Sequence, residues 1–213
     1  MKGIVFGLLL ICFAWADGIA YKTVRIGNLV WMAQNLNEKT ADGSWCYRNI
    51  NENCEKYGRL YTWTAAMKLP SDCNKKKCTE KIKSPHQGIC PKGFHVPTQD
   101  EYLQLYDFVG GIEIAGEKLK TRNEWRSFLS KNKGVDAYGF SALPTGYLSS
   151  GRFYYIGEAS YFWTSHQKCA EDNDNADYAL AYSLGADRQN AFALYYAKSV
   201  GMSLRCVEDA SDK

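Results

Sequence analysis

Neither sign of charge dominates this chain. Lys plus Arg number 26 and Asp plus Glu 23, a net of +3, whereas a dedicated nucleic-acid binder carries a clustered basic surplus. The nucleophile elbow G-x-S-x-G, the zinc pair H-E-x-x-H and the phosphate loop G-x-x-x-x-G-K-[ST] are all absent, which removes the common sequence signs of hydrolase, metalloprotease and nucleotide chemistry. Histidine is scarce, with only His86, His95 and His166. A pair of carboxylates for glycoside hydrolysis need only meet in space, about 5–9 Å apart, and nothing in the sequence singles one out. The expectation is therefore a protein that is not an enzyme, with no catalytic residue and no cofactor. No linker and no internal repeat divides the chain, so one domain is expected over 17–213. Hydrophobic residues at 46% and charged residues at 23% exclude disorder, collagen and coiled coil.

What is present begins with the N-terminus. Met1-Lys2 is followed by ten largely apolar residues from Ile4 to Phe13 and then Ala14-Trp15-Ala16. A basic start, a short apolar stretch and an A-x-A site read as an export signal over 1–16, cleaved after Ala16, with Gly18-Ile19-Ala20 as a second site. A membrane-spanning helix needs about 20 apolar residues, and no later segment supplies them, so no membrane span is expected in the mature chain. Lipid attachment at Cys12 is disfavoured by Ile11, which stands where lipoprotein signals carry a small residue.

Cysteine is abundant, with eight residues. Cys12 would leave with the signal, and export places the other seven where disulfides persist. Cys46 and Cys54 flank one polar loop and Cys73 and Cys78 another, which leaves Cys90 and Cys206 as the long-range pair. Sequence does not fix connectivity, so this pairing is an expectation. The bridge between Cys90 and Cys206 would contribute about 4–5 kcal/mol in the chain-entropy picture. Cys169 is left over, either as a buried thiol or as a link to a second chain. Cys73-x4-Cys78 with His86 and Cys90 is too loosely spaced to favour zinc.

Hydrophobic patterning predicts a hairpin, Val24–Ile26 and Leu29–Met32, around the turn Gly27-Asn28. Leu60, Trp63, Thr64 and Met67 fall on one helical face, predicting a helix over 57–67 stopped by Pro70. Residues 71–87 read as a solvated, Lys-rich loop. Thr98-Gln99-Asp100-Glu101 has capping-box form, and Tyr102, Leu105, Tyr106 and Val109 continue as a helix that ends at Gly110-Gly111. Short aromatic segments follow at 140–143, 153–156, 161–165, 177–183, 192–196 and 202–207. Two helices with a loop-rich, mostly antiparallel β structure make an α+β fold.

Val30-Trp31-Met32-Ala33-Gln34-Asn35-Leu36 resembles the opening motif of the Fibrobacter succinogenes major paralogous domain, FISUMP. Other motifs of that family recur in order. They are Trp45-Cys46-Tyr47, then the run from Cys54 to Trp63, Gly88-Ile89-Cys90-Pro91-Lys92-Gly93-Phe94-His95-Val96-Pro97, Gly139 to Pro144, Tyr161-Phe162-Trp163-Thr164-Ser165 and Ser203-Leu204-Arg205-Cys206-Val207. The chain departs from the pattern at Phe94, where the family usually has Trp, at the Lys-rich loop, and at Cys169. The resemblance covers about Tyr21 to Asp209. It implies an exported bacterial protein, secreted or at the cell surface, with a C-type-lectin-like fold. A long-range bridge near the C-terminus is common in that fold. No catalytic activity comes with the resemblance.

The late region holds the candidate ligand-binding residues: Trp163, His166, Tyr178, Tyr182, Arg188, Asn190, Tyr195 and Tyr196. Tyr and Trp offer rigid contact area and Asn and Asp adaptable hydrogen bonds, as recognition surfaces do. Each aromatic also has a plainer reading as core. Trp163 between Phe162 and Thr164 reads as packed, and Tyr178 and Tyr182 share one face whose burial is the default. Glu171 to Asn175 is rich in oxygen ligands of the kind calcium takes. It lacks EF-hand spacing and the Glu-Pro-Asn and Trp-Asn-Asp motifs of calcium-dependent lectins, so a solvated loop is the better reading and no metal is expected. Three functions remain in view: a binding or adhesion module for a polysaccharide or a surface protein, a structural surface or assembly protein with no small ligand, and, least supported, an enzyme.

Overall fold

The computed structural model describes residues 13–16, 19–126, 134–168 and 177–210, with side chains from Tyr21 onward. Cys169, the acidic loop Glu171 to Asn175 and Met1 to Cys12 lie outside the described residues. Strands β1 (Phe13–Ala16), β2 (Ile19–Ile26) and β3 (Leu29–Met32) run as successive hairpins. The expected turn at Gly27-Asn28 is present, with Ile26 opposite Leu29. β1 occupies the end of the stretch read as an export signal, so cleavage at Ala16 would leave β2 as the edge strand. β4 (Ser44–Trp45) and β5 (Leu60–Tyr61) form a small antiparallel pair. β6 (Phe94–His95) and β12 (Val207–Glu208) complete the first sheet, whose order is β1-β2-β3-β12-β6.

The second sheet comprises β7 (Thr145–Ser149), β8 (Arg152–Ile156), β9 (Ala159–Gln167), β10 (Tyr178–Gly185) and β11 (Ala191–Ala197), in the order β11-β10-β9-β7-β8. Its pairs are antiparallel except β7 with β9. Four of the six expected late segments coincide with β8, β9, β10 and β11. Residues 140–143 form no strand, because the carbonyls of Phe140 and Ser141 accept from Arg205 and that of Ala142 accepts from Thr121 and Trp125. Residues 202–206 bridge several strands rather than joining one.

Among the described residues the α-helices are four short ones, where two were expected. α1 (Asn51–Tyr57) lies in the loop closed by Cys46–Cys54 and ends at Gly58, whose φ is +72°. A Cβ on Gly58 would sit 2.8 Å from the carbonyl of Leu36, so the chain cannot carry a helix through this point. The helix expected over 57–67 is therefore corrected to α2 (Trp63–Ala66), with Leu60 and Tyr61 in β5. Leu60, Trp63, Thr64 and Met67 are all buried as their spacing implied, but by a strand-to-helix turn inside the core. α3 (Gln99–Phe108) has the expected box: the Thr98 hydroxyl accepts from the Glu101 N–H, and the Glu101 carboxylate accepts from the Thr98 N–H. Gly110-Gly111 separates α3 from an unanticipated α4 (Ile112–Leu119), which buries Ala115, Gly116 and Leu119.

A central segment, residues 201–207, joins these parts. Met202 exchanges backbone bonds with Tyr61, Gly201 with Leu148, and Ser203 with Tyr161 and Trp163, while Leu204 and Cys206 accept from Leu36 and Met32. One core lies around Trp63 and Trp163 and a second around Trp31, Tyr102 and Tyr182. The three disulfides join Cys46 to Cys54, Cys73 to Cys78 and Cys90 to Cys206, the pairs expected from spacing. The thiols of the zinc reading are thus consumed, and His86 bonds the backbone at Met67 and Lys83. The loop 71–87 is not wholly solvated. Its disulfide is buried, and the Lys198 ammonium reaches in to donate to the carbonyls of Cys73 and Lys76 and to Gln167.

His95 closes the first sheet. Its ring nitrogens lie 2.7 Å from Glu101 and 2.7 Å from Asp209, linking β6, the cap of α3 and the C-terminal segment. Burial opposes a charge on the ring, but the bonds and charges of the two carboxylates outweigh it and raise the pKa above the ordinary 6.5. Burial likewise opposes ionisation of Glu101, and bonds from His95 and Thr98 outweigh it, holding the carboxyl below its ordinary 4.5.

Two outcomes are expected. The His95 contribution to stability is complete below pH 6.5 and is lost as pH rises through its raised folded pKa. The Glu101 contribution is complete above pH 4.5 and is lost as pH falls through its lowered one. The melting temperature of the wild type will therefore drop on the alkaline side of this window, and His95→Gln will flatten that limb in a thermal melt series. Replacing Cys90 and Cys206 together by Ala will cost about 4–5 kcal/mol in denaturant unfolding, against about 2 for the Cys73–Cys78 pair, because the first closes the longer loop.

Candidate functional site

Strand alternation sorts the second sheet into two faces. The register pairs Tyr161 with Ser183 and Ser183 with Phe192, Ala181 with both Trp163 and Leu194, and Ala179 with Tyr196, so these side chains share one face. Phe162, Leu180, Tyr182, Leu184, Ala191, Ala193 and Tyr195 share the other. α3 and α4 cover part of that second face through the core around Tyr102, Tyr182, Ala115 and Ala191. On the first face, Trp163, Ala179 and Ala181 are covered by the other core. Beyond them the face opens into a cleft of about 460 Å³.

Tyrosines line this cleft and continue past it. The ring of Tyr161 meets Tyr196 edge-on at 5.6 Å and Tyr147 edge-on at 5.1 Å, and Tyr147 stacks on Tyr154 at 5.2 Å. Burial, then the neighbouring phenols, raises the pKa of Tyr161, Tyr196 and Tyr147, so their hydroxyls stay protonated and available to donate. Tyr155 completes the series, its ring 5.7 Å from that of Tyr147. It is 49% exposed and has a φ of +59°. A bulky residue in that region is a steric outlier costing about 1–3 kcal/mol. Gly146, in the strand paired with β8, has a φ of +65°, and a Cβ there would lie 1.9 Å from the carbonyl of Tyr154. The hairpin is thus bent at both strands where it presents Tyr155.

Charged groups ring the aromatic floor: Arg126, Glu158, Asp187 and Arg188. Arg188 lies over the ring of Phe192 at 4.7 Å. The turn that carries Asp187 and Arg188 is anchored by buried Lys120, whose ammonium donates to the carbonyls of Gly185, Ala186 and Arg188. Burial lowers the Lys120 pKa to about 8. A second, larger groove of about 990 Å³ runs between residues 38–45, 62–74 and 87–92, and among the described residues Trp45 is its only aromatic ring.

The residues singled out from sequence are dispersed. Arg188 and Tyr196 line the cleft. Trp163 is fully buried and donates from Nε1 to the Tyr61 carbonyl at 2.8 Å. Tyr182 is buried between Tyr102 and Tyr106, with ring centroids 4.7 and 5.1 Å away. Neither can meet a ligand in the folded protein, which corrects their place among the candidates. His166 and Tyr195 pair at 6.2 Å away from the cleft, with Lys168 over the Tyr195 ring. Tyr178 is half-buried at the start of β10, and Asn190 lies against α4 at Gly116. Sequence reasoning passed over Tyr155, Tyr161, Phe192, Glu158 and Arg126. The period-two run Phe192, Leu194, Tyr196 and the doublet Tyr154-Tyr155 were the available signals. Among the described residues no group of His, Cys, Asp or Glu is arranged to hold a metal.

Residues 24–208 match the profile of one protein family, described as the Fibrobacter succinogenes major domain. Searches among curated proteins and among solved structures found no match.

The burial of Trp163 gives a direct expectation. Trp163→Phe will lower stability by about 1–3 kcal/mol, through a lost hydrogen bond and lost volume. It will leave the tyrosine cleft intact, so a denaturation curve will shift while any ligand affinity of the cleft does not.

Proposed function

The chain belongs to the Fibrobacter succinogenes major domain family, and from that footing we propose that it is an exported, non-catalytic binding domain that takes a neutral carbohydrate chain across the tyrosine cleft. The observation that carries this reading is Tyr155. It is held exposed in a left-handed conformation at the mouth of the cleft, and strain of this kind persists where the surrounding structure holds it and gathers at functional sites. The surroundings suit a sugar. Ring faces of Tyr155 and Phe192 offer apolar surface to its C–H groups. Arg126 and Arg188 supply donors and Glu158 and Asp187 supply acceptors for its hydroxyls. Two positive and two negative groups favour an uncharged ligand. The cleft volume falls within the roughly 300–1,000 Å³ of small-ligand sites.

Three disulfides support a location outside the cytoplasm, secreted or on the cell surface. Among the described residues no helix is long and apolar enough to cross a membrane. We place the fold, with its short helices and mostly antiparallel sheets, in the C-type-lectin-like group on the family resemblance. The competing role is structural, a bridge-hardened surface or assembly domain with no small ligand. It is favoured by the share of tyrosines that serve as core.

A glycan array followed by calorimetric titration separates the two. Neutral oligosaccharides should bind and uronate-rich ones should not. Tyr155→Gly removes the stacking ring and the left-handed penalty together, so affinity should fall at least tenfold, about 1.4 kcal/mol, while the melting temperature holds or rises. Silence across the array, with Tyr155→Gly merely stabilising, would overturn the binding role in favour of the structural one.

A further inference from the structure

The second sheet has two edges, and they differ. At the β8 edge, Arg152 adds a charge and the left-handed Tyr155 bends the strand, devices that deter a neighbouring strand. The β11 edge has none. Ala-Phe-Ala-Leu-Tyr-Tyr-Ala contains no charge, proline or glycine. It pairs with β10 over seven successive residues, Ala191 to Ala197, without a register break. Its flanks are tied, since Gln189 accepts from Glu117 of α4 just before the strand and Lys198 donates to Asp177 just after it. Between them, among the described residues, no backbone bond reaches the outer side of 192–196. Leu194 is 51% exposed and Tyr195 41%. Such an apolar edge, with an unbroken register and no backbone partner among the described residues, is a template for another strand.

We infer that β11 pairs antiparallel with β11 of a second copy of this chain, joining two five-stranded sheets into one across a two-fold axis. Antiparallel pairing of a strand with itself is isologous, so every outward N–H of one copy meets a carbonyl of the other by symmetry. An uncharged strand offers nothing to select a foreign partner by charge, whereas its own copy matches it in length, apolarity and register. The two-fold axis stands normal to the sheet, which leaves both tyrosine clefts on the same face and lets a repeating ligand be held at two points. The pairing itself does not depend on the cleft having a ligand.

Sedimentation equilibrium of the purified protein, from micromolar to millimolar, reads the association directly. A Cys169→Ser background prevents a disulfide from joining copies. The expected result is a reversible doubling of mass. Ala193→Lys with Tyr195→Lys sets like charges across the axis and should give a monomer throughout, as should Glu at both positions. Mixing the two proteins should restore a dimer. Both positions face away from the cleft, so glycan affinity per site should be unchanged, which keeps failure of this pairing distinct from failure of the ligand reading. As a readout that needs no variant, the outward amides of wild-type Ala193 and Tyr195 should exchange more slowly at high concentration. A wild type that stays monomeric throughout, amides whose exchange ignores concentration, or a dimer undiminished in both charged variants would each overturn the inference.

Discussion

Arg205 is fully buried, and the molecule is assembled around it. Its guanidinium donates to Asn35 and to the carbonyls of Phe140 and Ser141, and it lies over the rings of Phe140 and Phe162. Burial lowers its pKa to about 10, which leaves it charged at neutral pH. A buried cation is tolerable only where oxygens surround it, so three separate stretches of chain must converge on this point. The adjacent residue, Cys206, is bonded to Cys90. Together they seat residues 201–207 between the two sheets, and the backbone of that segment then joins β3, β5, β7 and β9.

The same device recurs at smaller scale. Lys198 lies over the ring of Trp63 and holds the Cys73–Cys78 loop by its carbonyls. Lys120 lies over Trp125 and holds the β10–β11 turn. Both have pKa values lowered to about 8 by burial. In a chain with many loops and few long elements, carbonyls that no strand or helix pairs need donors, and one ammonium can serve three of them. These cations fix irregular segments where repetitive hydrogen bonding cannot.

This construction also explains how a strained tyrosine can be kept at the surface. β7 is bound to β8 on one side and touches β9 and Gly201 on the other. The distortion at Gly146 is therefore built into a strand secured on both flanks, and Tyr155 lies beside it on the edge strand β8, which among the described residues pairs with β7 alone. The cleft rests on strands whose opposite face is largely packed, and its rim is held by Lys120. A ligand would meet a surface already ordered, with little conformational entropy left to lose.

Local chemistry was legible in the sequence. The Gly27-Asn28 turn, the Thr98–Glu101 box, the short cysteine spacings and the ordered family motifs each depend on residues close in the chain, or on patterns that a family retains. The facing of the tyrosines was not legible. Tyr182 and Tyr196 are both β-strand aromatics, yet one is core and the other lines the cleft, because facing depends on the register of β10 against its neighbours and on what α3 and α4 cover. The period at Leu60, Trp63, Thr64 and Met67 reported burial correctly and conformation wrongly, since the backbone at Tyr61 bonds to Met202, far away in sequence. Spacing along a chain encodes which side chains avoid water; only the long-range partners decide what shape the backbone takes to bury them, and which aromatics are left outside.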